Sequence, residues 1–452
     1  MRKKEMSDIC VIGAGLAGSE AAYHLGRKGH RTDLYEMKPL KFTKAHSYEG
    51  FCELVCSNSL KSKDILTASG LLKHEMRLLG SLVMEAADNN SVDAGSALAV
   101  DRRRFSDYVT QTIGNNGNIR VISKEVTDIE ELGGYKYIII ATGPLTTDKL
   151  ADSIAVYTGK KYLHFFDAAS PIISDESIDH DVVFAASRYN KGTPDYLNCP
   201  MTKEQYDLFY NELINAEVTD VGTTEERSYF EACMPIEEMA RRGYSTPLFG
   251  PMKPVGIEDP KDPGKRFHAI VQLRKEDSES TMYNIVGFQT RLRFSEQKRV
   301  FSLIPGLERA EFLRYGVMHR NTYIDSPRIL DHFYRSKENN RIFFAGQITG
   351  VEGYLESASS GLYAALQLDR IIRGLEPFDL KSQTMIGALS NYISNDKIKD
   401  FQPMNANFGI MKDLTDKKLS KKGRKEAKVS ASIEAIKEYM AKGSAEIKEA
   451  IY

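Results

Sequence analysis

Apolar residues along the chain fall into short strand-like runs and one-sided helical stripes. Residues 8–12 form the first apolar run, GAGLAG (13–18) interrupts it, residues 19–28 place Ala21, Ala22 and Leu25 on one side, and RTDLYE (31–36) is strand-like again. This predicts strand, turn, helix, strand. Two later runs, YKYIIIATG (135–143) and RIFFAG (341–346), have the unbroken apolar character of strands covered on both faces, and a small-residue helix follows the second. Between them, turn-rich SRYNKGTPDY (187–196) and FGPMKPVGIEDPKDPGK (249–265) separate the strand candidates FHAIVQL (267–273) and YNIVGF (283–288). The expected architecture is α/β. A discontinuous unit of residues 1–167 and 309–452 would carry a Rossmann-type sheet, and residues 168–308 would form an inserted α+β domain with a cleft between the two. A basic tail begins near residue 416, with seven Lys or Arg in 417–428, and leads into a helix predicted over 430–439.

Composition narrows the picture only slightly. At 452 residues the chain can bury two or three cores, and 61 Lys plus Arg against 62 Asp plus Glu leave no global field for nucleic acid or membrane. No apolar stretch approaches the roughly eighteen residues of a membrane span, and no leader pattern is evident, so a soluble cytoplasmic protein is expected. Five scattered cysteines argue for reduced thiols, and nine histidines that do not cluster with them at zinc spacing argue against a metal site.

The first turn carries candidate chemistry. Gly13 permits a tight turn, Gly15 lets a pyrophosphate approach the backbone, Gly18 allows close helix packing, and Ala14, Leu16 and Ala17 complete a loop whose helix end offers free N–H groups. Glu36, eighteen residues past Gly18, suits the hydroxyls of an adenosine ribose, which favours FAD or NAD over NADP. IIIATGP (138–144) and the segment 341–365 resemble the second and last nucleotide-contacting segments of the two-dinucleotide-fold flavoproteins. That resemblance implies FAD, with Thr142, Gly143, Gly346, Gln347, Gly350 and Gly353 beside it. A second GxGxxG unit is missing, so no dedicated NAD(P)H domain is expected.

FCELVCSNSL (51–60) places Cys52 and Cys56 four positions apart, facing one another on a helix or diverging in an extended segment. The spacing is one residue shorter than the CxxxxC of flavin disulfide reductases, which argues against a dithiol cycle. Free cysteines are mostly small buried hydrophobes, so the thiols alone assign nothing.

The stretches ELVCSNSLKS (53–62), LNCPMT (197–202), CMPIEEMARRG (233–243), LFGPMKPVG (248–256), YNIVGFQT (283–290), RYGVMHRNTYI (314–324), FFAGQITGVEGY (343–354) and FQPMNANFG (401–409) resemble the bacterial folate- and FAD-dependent tRNA uracil-5-methyltransferases. The likeness runs from Gly13 to about residue 412, leaving out the lysine-rich tail. It implies transfer of the one-carbon unit of 5,10-methylenetetrahydrofolate to C5 of a T-loop uridine, with FAD and NAD(P)H supplying electrons. It implies catalytic thiols at Cys56 and Cys233, and a folate pocket at His319 and Asn321. Cys52, Cys10 and Cys199 are expected to be packing thiols, and Arg241 and Arg242 could favour a thiolate if they face Cys233. Candidate RNA contacts are Arg291, Arg293, Lys298, Arg299 and the tract 417–428. The same chemistry on ribosomal RNA (rRNA), or an RNA-binding flavoprotein without turnover, are the alternatives. A sister flavoenzyme acting on wobble uridine is longer, with a helical domain this chain lacks.

Overall fold

The computed structural model describes residues 7–43, 45–159, 163–190, 193–219, 234–260, 262–412 and 419–451. Its first layer is a five-stranded parallel sheet in the order Ile342–Phe344, Tyr137–Ile140, Ile9–Ile12, Thr32–Glu36, Ile119–Ser123. Ile138, Ile139 and Ile140 are fully buried, as an unbroken apolar run in a sheet covered on both faces requires. The helices Leu16–Arg27 and Tyr354–Ile372 cover one face side by side. They approach closely because Gly361 sits against the Ala17 backbone, where any Cβ would overlap it. The first helix begins at Leu16, earlier than its apolar period suggests. Gly15 is its extended N-cap, and its carbonyl accepts the Ser19 N–H at 2.9 Å.

A second, antiparallel sheet of six strands runs Phe184–Ala185, Tyr196–Met201, Ala269–Lys275, Met282–Ile285, Ile172–Ser174, Phe312–Arg314. The strand within YNIVGF stops at Ile285, and Gly287 follows in the left-handed region with φ +78°. Alternation divides the sheet cleanly. Cys199, Val271, Leu273 and Ile285 enter an apolar core with the helices Lys203–Asn215 and Phe294–Phe301. Asn198, Gln272, Arg274 and Asn284 occupy the opposite face. That face meets the first unit: Arg274 and the Lys275 carbonyl bond Ser57 and Asn58. An antiparallel ribbon of Leu163–Ala168 with Met318–Tyr323 connects the two units.

The C-terminal helix spans Lys421–Ile451, so the lysine-rich tract is partly helical rather than a leader to a shorter helix. Val429, Ser432, Ile436 and Tyr439 form its buried stripe, and Ser432 Oγ donates to Glu75 at 2.5 Å. Among the described residues no helix is long and apolar enough to cross a membrane.

Candidate functional site

At the carboxyl ends of the parallel strands lies a cleft of about 1110 Å³, including its mouth open to solvent. Its floor is the glycine turn. Gly13 has φ +94°, and a Cβ there would sit 2.7 Å from the Ala141 carbonyl oxygen. Gly15 has nothing within 4 Å of its would-be Cβ, which leaves room for a ligand against the backbone. Ala14, Leu16, Ala17, Glu36, Thr142, Gly143, Gly346 and Gln347 line the same cleft. The Glu36 carboxylate accepts the Ala14 N–H at 2.7 Å and the Lys38 N–H at 3.0 Å, which brings it over the turn.

Three of the glycines singled out from sequence do not line the cleft. Gly18 faces the Gly13 carbonyl, Gly350 packs on the Phe401 ring, and Gly353 (φ +117°) is the N-cap of Tyr354–Ile372. Lining residues that sequence reasoning missed include Lys38, His46, Lys124, Thr146, Tyr354 and Ser357. Most of these lie on irregular segments whose side chains follow no period. Burial and the neighbouring Lys38 cation hold His46 below the usual histidine range, favouring the neutral ring.

The loop carrying Cys52 and Cys56 crosses this turn. It is irregular rather than helical, so the two thiols are not paired by helical spacing, and they form no disulfide with each other. The Cys52 N–H donates to the Ala14 carbonyl at 3.0 Å. Its side chain is 1% exposed, and burial pushes the thiol up to about 12, so it stays protonated. Cys10 and Cys199 are likewise buried, with thiols raised by desolvation.

Cys56 is half-buried and held from three directions. Its N–H and that of Ser57 donate to Tyr354 Oη at 2.7 and 3.1 Å. Arg102 donates to the Leu54 and Cys56 carbonyls at 2.6 and 3.5 Å, and its Nε lies 2.5 Å from Glu276. From the six-stranded sheet, Arg274 donates to Ser57 Oγ at 2.7 Å and Asn58 Oδ1 at 2.9 Å. The loop is therefore pinned by both units. Arg102, Arg314 and Tyr354 all lie within electrostatic reach of the Cys56 thiol.

The strand Met318–Tyr323 sets His319 opposite Asp167 and Asn321 opposite Phe165. Asn321 is buried, and the Thr322 N–H donates to the Pro144 carbonyl at 3.0 Å, which ties this strand to the ATGP wall. Cys233 lies outside the described residues, but its flanks are fixed. Thr219 donates to the Arg291 carbonyl at 2.8 Å and Ile236 to the Gln289 carbonyl at 2.7 Å, so the described residues on either side of it are held by the same short stretch, 289–291.

Arg241 is engaged with Glu238 at 2.9 Å and the Ile214 carbonyl at 3.2 Å, which commits it to its own helix and to the preceding helix Lys203–Asn215. Arg291 corrects the expectation of an RNA contact. It is buried and bonded to Glu238, because the chain turns it inward beneath the helix Ile236–Arg241. Arg293 pairs with Glu217 at 2.6 Å, and Arg299 with Glu296 at 2.7 Å and with Glu212. Lys298 is exposed, and residues 417 and 418 of the basic tract lie outside the described residues.

The family model "Glucose inhibited division protein A" matches residues 8–376. Methylenetetrahydrofolate–tRNA-(uracil-5-)-methyltransferase TrmFO of Acetivibrio thermocellus is 54% identical over 96% of this chain and 99% of its own length. The TrmFO of Caldicellulosiruptor bescii is 58% identical over 89% of this chain and 92% of its own. The chain belongs to the TrmFO family. The GidA of Aquifex aeolicus, 17% identical, superposes with a TM-score of 0.68 over 96% of this chain and 74% of that one, which shows that the TrmFO chain shares its fold.

The cleft of this TrmFO family member fits FAD. The first turn of Leu16–Arg27 offers N–H groups without intrahelical acceptors to a pyrophosphate, Glu36 is placed for a ribose, and beside Thr142–Gly143 and Gly346–Gln347 the cleft is also lined by Tyr354, whose Oη holds the Cys56 N–H. Among the described residues no group of three or more His, Cys, Asp or Glu is arranged to hold a metal.

Proposed function

We propose that this protein is a folate- and FAD-dependent methyltransferase that forms 5-methyluridine in the T-loop of tRNA, taking its carbon from 5,10-methylenetetrahydrofolate and acting in the cytoplasm. The observation that carries the reading is near-full-length identity to TrmFO relatives, joined to a cleft lined by Val55 and Tyr354, the chain neighbour and the hydrogen-bond partner of half-buried Cys56. FAD, when bound, supplies the electrons that make the transferred carbon a methyl group, with NAD(P)H as their source.

The protein's own residues handle the pyrimidine. C5 of uracil is a weak nucleophile until a thiolate adds at C6, so the reaction needs a soft nucleophile and then a base for the C5 proton. Cys233 is assigned the addition and Cys56 the proton. A negative charge at Cys56 would be balanced by Arg102 and Arg314, and the loop is kept in register by Tyr354 and Arg274. His319 and Asn321, on the strand tied to the ATGP wall, are assigned to the folate. The target base must be turned out of its loop, at a few kcal/mol, to reach this site.

Incubation with labelled methylenetetrahydrofolate, NADPH and either unmodified tRNA or ribosomal RNA transcripts, followed by mapping of the label, tests the proposal. Label on a T-loop uridine is expected. Label only in ribosomal RNA would change the address, and label in neither would leave an RNA-binding flavoprotein.

A further inference from the structure

Phe312, Tyr315 and Phe294 form a ladder of parallel rings that climbs from the core of the inserted domain to its surface. Phe312 and Tyr315 stack at 5.3 Å with planes 3° apart, and Tyr315 and Phe294 at 4.7 Å and 17°. The inner end continues to buried Phe301 at 6.5 Å. Near-parallel planes at these centroid separations are the offset stacks that aromatic pairs favour, here two in series. The last ring, Phe294, is 55% exposed. An exposed ring at the end of a stack is a surface that a further flat ring can extend.

The ladder is rigidly tied to the proposed site. Gln297 is fully buried, accepts the Gly316 N–H at 2.8 Å, and donates to the carbonyls of Gly316 and Leu292, both at 2.8 Å. Gly316 has no slack, because a Cβ there would lie 2.6 Å from Thr290 Cγ2 and 2.7 Å from the Ala169 carbonyl oxygen. Two residues on begins the strand Met318–Tyr323 with His319 and Asn321, and Leu292 is bridged to Val218 at the entrance of the segment that carries Cys233. Neighbouring Arg293 and Arg299 are each paired with carboxylates, while Lys298 on the same helix is exposed, so the ring offers stacking beside a cation for a phosphate.

We propose that Phe294 is the exposed end of a stacking platform that receives an unpaired nucleobase of the RNA substrate. The inference rests on the reading of the substrate as a folded RNA. Turning a uridine outward unstacks its neighbours, and a flat protein ring can restore the lost stacking without reading sequence.

The test measures RNA affinity and methyl-transfer kinetics on an unmodified tRNA transcript for Phe294→Ala, Phe294→Leu and Phe294→Trp. Flavin content and melting temperature report an intact fold. The alanine and leucine variants are expected to raise Kd and KM roughly tenfold, and tryptophan to restore them. Leucine is decisive, being apolar but not flat. Wild-type affinity in Phe294→Ala would overturn the inference alone. Wild-type affinity in Phe294→Leu would also overturn it, pointing to an apolar contact instead. A wild-type protein that binds no RNA would overturn the function reading, and the inference with it.

Discussion

Tyr354→Phe removes one oxygen and leaves the ring that lines the cleft in place. In the native structure that oxygen accepts the Cys56 and Ser57 N–H groups at 2.7 and 3.1 Å. A neutral hydrogen bond contributes about 1 kcal/mol net, and a buried donor left without an acceptor costs ~1–3 kcal/mol. Both amides are half-buried, where water can partly replace the phenol, so the loss should total about 2 kcal/mol. The loop would not detach, because Arg102 still holds the Leu54 carbonyl and Arg274 still holds Ser57 and Asn58. It would instead open locally, and a reacting group misplaced by ~1 Å can cost roughly a hundredfold in rate. Alkylation of Cys56 by iodoacetamide, read by peptide mass spectrometry, should quicken about thirtyfold if it proceeds through the opened loop. The kcat of methyl transfer should fall by roughly ten- to a hundredfold while flavin content stays at the wild-type level. Unchanged alkylation and unchanged transfer in a fully flavinylated variant would refute the view that this phenol positions Cys56.

The remaining predictions use other features of the site and its support. Gly18→Ala places a Cβ on the Gly13 carbonyl, and the variant should purify without yellow colour, as an absorbance spectrum will show. Cys52→Ala should cost ~1 kcal/mol of stability and keep transfer, whereas Cys56→Ala should lose transfer with flavin retained; radiolabel incorporation separates the two. Cys233→Ala should likewise be yellow and inactive, and full activity in it would remove the thiol mechanism. Burial raises Glu75 from 4.5 to about 7 in the folded protein, against hydrogen bonds from Met385, Ser432 and Ile386 that lower it. The unfolded chain then releases this proton first. The stability that Glu75 contributes is full below about pH 4.5 and is lost as pH rises to about 7. The difference in melting temperature between wild type and Glu75→Gln should change across that window and be flat above it.

Much of the nucleotide-binding half was legible because its signals are local. A strand period, three glycines at fixed offsets and an acid at the end of the second strand specify one turn wherever the rest of the chain goes, and Gly13, Gly15 and Glu36 come together as that pattern requires. The family motifs singled out Cys56 as a candidate, because a string of residues can be matched without knowing its shape. Other features could not be read that way. Arg291 sat in a basic stretch that suggested surface, yet it turns inward to Glu238. The alternation of Gln272 and Arg274 with Val271 and Leu273 was visible in the chain, but nothing in it said that the polar face would grip Ser57 and Asn58. The bond from Cys56 to Tyr354 spans 298 positions, and the segment between them includes an entire second sheet. The sequence by itself determined the elements, the dinucleotide turn and the residue types available for chemistry, since each depends on period and steric rules within a few residues. Only the tertiary structure decided which loops line the cleft and which side chains hold Cys56, because those contacts depend on how two separately cored units are set against each other.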